Sequence, residues 1–77
     1  MKIRVLLFGQ LAEASGVSEL EMEGYADTIS LISALQERFP TLQQSKYMMA
    51  VNQQMVSENT KLSENATVAL MPPFSGG

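Results

Sequence analysis

Only one stretch of this chain has both the length and the pattern for a long helix, and the rest must fold around it. Thr28 supplies an N-cap, and Asp27 sets negative charge near the positive end of the helix. Ile29, Ile32, Leu35 and Phe39 recur at steps of three and four with Leu31 beside them, which predicts one apolar stripe over 28–39. Pro40 stops the run, because the residue before a proline is pushed out of helical geometry. A lone amphipathic helix cannot bury its own stripe, so it needs a sheet to lie on.

The remaining segments provide that sheet. Residues 2–8 are β-branched and apolar without a breaker, with Ile3, Val5 and Leu7 on one face and Arg4, Leu6 and Phe8 on the other. Gln10 to Ser15 can make one or two helical turns before Gly16 ends them. Ser18 to Glu23 alternates, pointing Leu20 and Met22 inward and Glu19, Glu21 and Glu23 to water, as in a half-exposed strand hairpinned to the first. Those glutamates and the loop acids Glu58 and Glu64 read as solvated charges. After a polar loop or single turn over 41–46, Met48 to Asn52 reads as a third strand. Gln53-Gln54 is expected to turn into a short strand at Met55-Val56, and 57–65 to be polar connection. Ala66 to Met71 is the last strand, with Val68 and Leu70 on one face and Thr67, Ala69 and Met71 on the other.

A right-handed crossover through the helix places that last strand beside the first, in parallel. The expected fold is therefore α+β: a mixed sheet of about four to five strands packed on one main helix, the β-grasp architecture of ubiquitin-like proteins. The domain is expected over 1–71, with an extended, flexible tail over 72–77.

Composition limits what such a domain does. A chain of 77 residues buries little more than about 60% of its unfolded surface, leaving scant room for an internal active site. Hydrophobic content of 45% with 17% charged residues fits a folded domain. Cysteine and histidine are both absent, which removes thiolate chemistry, the usual general base and the commonest metal ligand. No metal-ligand spacing, phosphate-binding glycine loop or nucleophile–base pair is present, so a self-sufficient catalyst is not expected. The net charge of −3 argues against nucleic acid, whose phosphates select clustered Lys and Arg, and suits a partner with a basic surface. The apolar run after Met1-Lys2-Ile3-Arg4 is too short for a signal peptide and no stretch approaches a membrane span, so a cytoplasmic protein is expected.

The chemistry concentrates at Pro72-Pro73-Phe74-Ser75-Gly76-Gly77. Two glycines carry no side chains and can enter a passage closed to other dipeptides. Pro72 and Pro73 favour an extended stem, and six residues reach roughly 20 Å at about 3.3–3.6 Å each. Such an arm presents one group, the α-carboxylate of Gly77. Terminal Gly-Gly arises by chance in roughly one chain in two hundred, so its pairing with a stiff stem matters more than the dipeptide itself.

Two blocks resemble a known family: VLLFGQLAEASG (Val5 to Gly16) and AVNQQMVSENTKLSENATVALMPPFSGG (Ala50 to Gly77). They are similar to the small, sulfur-carrying subunits of molybdopterin synthase. One departure is the short helix after the first strand: many relatives have a basic residue there, and Leu11, Ala12 and Glu13 offer none for a salt bridge to a partner. The resemblance implies that an ATP-using, ubiquitin-activating-like enzyme adenylates Gly77, that a sulfur donor converts it to a thiocarboxylate (1-thioglycine), and that the tail enters a large synthase subunit. Sulfur then passes to cyclic pyranopterin monophosphate in molybdenum cofactor biosynthesis. It implies two small and two large subunits, no permanently bound cofactor, and no metal. An ionised carboxylate is a poor electrophile, so adenylation supplies the leaving group, and the carrier needs no base of its own.

Alternation also suggests where partners dock. With Ile3, Val5, Leu7, Val68 and Leu70 facing the helix, Phe8, Met71 and Met55 emerge on the opposite face as an apolar patch. The rival readings are a sulfur carrier for thiazole synthesis, a ubiquitin-like modifier joined to lysines, and an interaction module with an inert tail.

Overall fold

Alternation along the first strand is what seats it between core and surface, and the same device repeats through the sheet. The computed structural model describes residues 2–73. Its elements are β1 (Lys2–Leu7), α1 (Gln10–Ser15), β2 (Glu19–Glu23), α2 (Thr28–Arg38), a 3-10 turn (Pro40–Gln44), β3 (Met48–Val51), β4 (Gln54–Val56) and β5 (Ala66–Met71). The five strands lie in the order β2-β1-β5-β3-β4. β1 pairs antiparallel with β2 and parallel with β5, as the crossover rule requires, and β5 pairs antiparallel with β3. The expected β-grasp arrangement is the one observed.

Register puts Ile3, Val5 and Leu7 of β1 level with Ala66, Val68 and Leu70 of β5. These six side chains are buried and share one core with Met22, Val51, Leu31 and Leu35 of α2, and Leu11 of α1. Gly16 closes α1 in the left-handed conformation, φ 82°, which a residue without Cβ adopts at no steric cost. Among the described residues, every buried side-chain nitrogen and oxygen has a hydrogen-bond partner. No helix among them is long and apolar enough to cross a membrane.

The start of α2 differs from expectation. Asp27, not Thr28, is the N-cap: its backbone is extended and its carboxylate accepts the Ser30 N–H at 3.0 Å. Thr28 lies inside the first turn, buried, with its hydroxyl accepting the Thr60 N–H at 2.9 Å. The helix ends at Arg38, and Phe39 caps it in a non-helical conformation ahead of Pro40. The buried stripe is also rotated. Thr28, Leu31 and Leu35 form it, Ile32 flanks it, and Ile29 is 61% exposed. At about 100° per residue, Ile29 sits about 100° round from Thr28, off the core face.

Two buried leucines fall in segments read as polar connection. Leu42 enters the core from the 3-10 turn and Leu62 from the loop before β5. That loop is laced to α2: the Leu62 N–H donates to the Ala26 carbonyl and the Thr28 N–H to the Thr60 carbonyl. The hairpin turn also shifts by one residue. Asn52 and Gln53 form it, with φ of 49° and 70°, and β4 begins at Gln54 opposite Val51. Asn52 suits this position because it tolerates positive φ, and its Oδ1 accepts the Thr67 N–H at 2.9 Å.

Candidate docking face and tail root

The face of the sheet turned away from α2 is built by the strand positions that alternate with the core. Leu6 of β1 lies level with Ala69 of β5, Ala69 with Ala50 of β3, and Ala50 with Met55 of β4. The two alanines make a low floor at the centre, while Phe8, Met55 and Met71 stand around it. These residues line a single groove of about 690 Å³. Phe8 is 47% and Met55 52% exposed, and Met71 is half-buried. The structure therefore brings the three residues singled out from sequence onto one surface. Leu6, Ala50 and Ala69 belong to it as well. Strand alternation had already placed Leu6 and Ala69 on this side; a small side chain gives no signal by itself.

The groove changes character toward β2. Arg4 at its margin pairs with Glu19 at 3.1 Å, both side chains being largely solvated. Glu21 and Glu23 lie opposite Arg4 and Lys2 in the register, so the β2 edge is acidic. Among the described residues, no group of three or more acidic side chains is placed to hold a metal ion. An apolar floor with a charged margin has the composition of a docking surface.

The tail leaves beside this groove. The Phe8 N–H donates to the Leu70 carbonyl at 3.0 Å, carrying the β1–β5 pairing one step past β1. Gly9 follows with φ 56° and ψ −131°, and the Leu11 N–H closes the turn on the Phe8 carbonyl at 3.1 Å. The α-carbon of Gly9 faces the ring of Pro72, the first residue after β5. Pro73 is exposed. Phe74, Ser75, Gly76 and Gly77, the rest of the expected tail, lie outside the described residues.

The two perturbed carboxylates sit away from the groove and serve the fold. Hydrogen bonds from the Ser30 hydroxyl, the Ser30 N–H and the Asn59 amide hold the Asp27 carboxyl below its ordinary value. The Lys2 main-chain N–H, 2.7 Å from Oε2, does the same for Glu64.

A five-stranded mixed sheet holding one long helix, with an apolar groove on its open face and a tail starting beside it, defines a ubiquitin-like β-grasp protein. The chain belongs to the ThiS family, which it matches over residues 5–77. It is 33% identical, over all of its own length and 99% of the other's, to a Mycobacterium tuberculosis protein named molybdopterin synthase sulfur carrier subunit. Its fold is similar to that of a Pyrococcus furiosus protein assigned as molybdopterin converting factor subunit 1, with a TM-score of 0.88 at 24% identity over 96% of this chain and 99% of that one. It is also similar to the Methanosarcina acetivorans small archaeal modifier protein 1, with a TM-score of 0.83 at 24% identity over 99% and 96%. A Helicobacter pylori complex of subunits 1 and 2 of molybdopterin-converting factor gives a TM-score of 0.75 at 24% identity over the full length of both chains. These three likenesses establish the fold.

Proposed function

We propose that this chain is the sulfur carrier of a molybdopterin synthase. The observation that carries the reading is the full-length match to a relative of that name. The Pro72 to Gly77 ending gives that match a chemical sense.

In this reading a Gly77 carboxylate oxygen attacks the α-phosphorus of ATP on an adenylating enzyme, and pyrophosphate leaves. A sulfide-equivalent donor then attacks the acyl carbon, AMP departs with the C–O bond, and a proton is lost to leave a thiocarboxylate. The chain itself binds no cofactor; its modified terminus, 1-thioglycine, is the cargo. Pro72, Pro73, Phe74, Ser75 and Gly76 carry that terminus into a large subunit, where sulfur passes to cyclic pyranopterin monophosphate in the cytoplasm. The groove of Phe8, Met55 and Met71 docks first the activating enzyme and then the large subunit, in an assembly of two small and two large chains. The Helicobacter pylori complex of subunits 1 and 2 supports a partner of this kind.

Mass spectrometry of the intact chain, after incubation with the adenylating enzyme, ATP and sulfide, tests the reading. One oxygen should be replaced by sulfur, on the terminal peptide alone. A terminus that stays a carboxylate under those conditions overturns it, and Gly77 found joined to lysines of other proteins would make the chain a modifier.

A further inference from the structure

We infer that Gly9 is a positioning residue for the tail: its bare α-carbon is the seat for Pro72, and through Pro72 it sets the direction in which the chain leaves β5. This deepens the carrier reading and rests on it for the activity measurement.

The seat is rigidly held. The Gly9 dihedrals, φ 56° and ψ −131°, are those of the first central position of a type II′ turn, which glycine adopts freely. On one side the turn leads into Leu11, which is fully buried in the core. On the other, the bond from the Phe8 N–H to the Leu70 carbonyl ties it to the last residues of β5. The turn therefore cannot drift relative to the strand that ends at Met71.

Contact at the seat is close. A Cβ on Gly9 would stand 3.0 Å from Pro72 Cγ and 3.5 Å from Cδ. Carbon atoms are comfortable at about 3.5–4.0 Å. Most side chains facing such a methyl would change rotamer, but the proline ring is part of the backbone and carries fixed φ. The ring has no rotamer to change: it yields by pucker at Cγ or by a shift of its backbone, and the second re-aims the main chain. Five residues follow Pro72. A shift at the root passes to Pro73 and changes where the residues after it set out. Misplacement by roughly 1 Å can cost about 100-fold in rate.

Turn strain is the competing explanation for any effect at Gly9, and Pro72→Ala separates the two by removing the ring. Four full-length chains are compared: wild type, Gly9→Ala, Pro72→Ala and the double variant. Each is followed for the rate of thiocarboxylate formation and for urea stability. Gly9→Ala should slow the reaction about tenfold or more when Pro72 is present and less than about threefold in the Pro72→Ala background. Strain in the turn should lower stability equally in both backgrounds. Equal slowing in both backgrounds, or none in either, overturns the proposal. So does a Gly9→Ala chain that fails to fold even with Pro72→Ala; folding restored by Pro72→Ala supports it. Independently of sulfur chemistry, the wild-type spectrum should show a nuclear Overhauser effect between the Gly9 α-protons and the Pro72 ring, and its absence overturns the seat. If wild type itself takes up no sulfur, the carrier reading fails while this spectrum still reports on the contact.

Discussion

Asn59 Oδ1 accepts the main-chain N–H of Ile29 at 2.9 Å, so the first turn of α2 is capped by a residue thirty positions further along the chain. The same oxygen accepts the Thr28 hydroxyl at 3.3 Å, and the Asn59 amide donates to Asp27 Oδ2 at 3.4 Å. Two of the N–H groups that a helix start leaves without intrahelical partners are thus met by two different residues. Asn59→Ala should lower stability by about 0.5–2 kcal/mol, the usual cost of a lost cap. Urea denaturation at neutral pH measures it, and an unchanged midpoint would remove Asn59 from the cap.

Asp27 gives the fold a defined acid sensitivity. Its folded-state pKa lies below the ordinary value of 3.8, so its stabilising effect is complete above that value. The effect is lost as pH falls through the lowered folded pKa, where the carboxyl takes up a proton and stops accepting from Ser30. Replacing it by Asp27→Asn should flatten that part of the curve of urea midpoint against pH and leave the slope above pH 5 unchanged. A curve identical to wild type below pH 4 would contradict the assignment.

Burial along α2 separates two residues that look alike in sequence. Leu35 is fully buried, so Leu35→Ala should cost about 2–5 kcal/mol. Ile29 is 61% exposed, and Ile29→Ala should change stability by no more than about 0.5 kcal/mol. Comparable losses for the two, measured by denaturant titration, would restore the stripe read from periodicity.

Phe8→Asp and Met71→Asp should each weaken binding to the large subunit strongly while leaving the folded spectrum intact. Each apolar group fully buried at an interface contributes on the order of 1.5–3 kcal/mol, and a charge in its place also carries a desolvation cost. Titration calorimetry against the purified large subunit gives the affinities. Wild-type affinity in both variants would move the interface off the groove.

Tail length should matter as much as tail composition. Deleting Gly77, or adding one residue after it, shifts the reacting carbon by about 3.5 Å and should abolish sulfur transfer without altering thermal stability. Gly76→Val should fail in the same assay, because a branched side chain is brought to a passage shaped for none. Full activity from the Gly77-deleted chain would leave the inert-tail interaction module as the better account.

Much of the fold was legible because this sheet has one dry and one wet face. In β2, Leu20 and Met22 alternate with Glu19, Glu21 and Glu23, and that period-two signal identifies both the strand and its inner side. Strand position likewise places Phe8, Met55 and Met71 on one face. What escaped lies where local signals compete or long-range contacts decide. Asp27 and Thr28 are both good caps, and it is long-range contacts, from Asn59 and Thr60 to Thr28, that accompany its place inside the helix. Leu42 and Leu62 are single apolar residues in polar surroundings, without a period to reveal that a turn and a loop press them inward. The Asn52-Gln53 turn was displaced because two glutamines gave no positional cue, whereas the register of Val51 with Gln54 does. Gly9 carries no side chain to attract notice, and its contact with Pro72 joins positions far apart in the chain.

β5, which leads into the tail, is the last strand in sequence yet lies in the middle of the sheet, between β1 and β3. Its pairing with β1 joins opposite ends of the domain, a non-local contact whose loop-closure entropy must be overcome before it stabilises anything. Neither the groove nor the root at Pro72 exists until that closure is made. A chain opened by partial unfolding has the residues of the tail but no platform to present them. On the carrier reading proposed above, an activating partner that engages both would select finished molecules for sulfur loading, without a separate proofreading step.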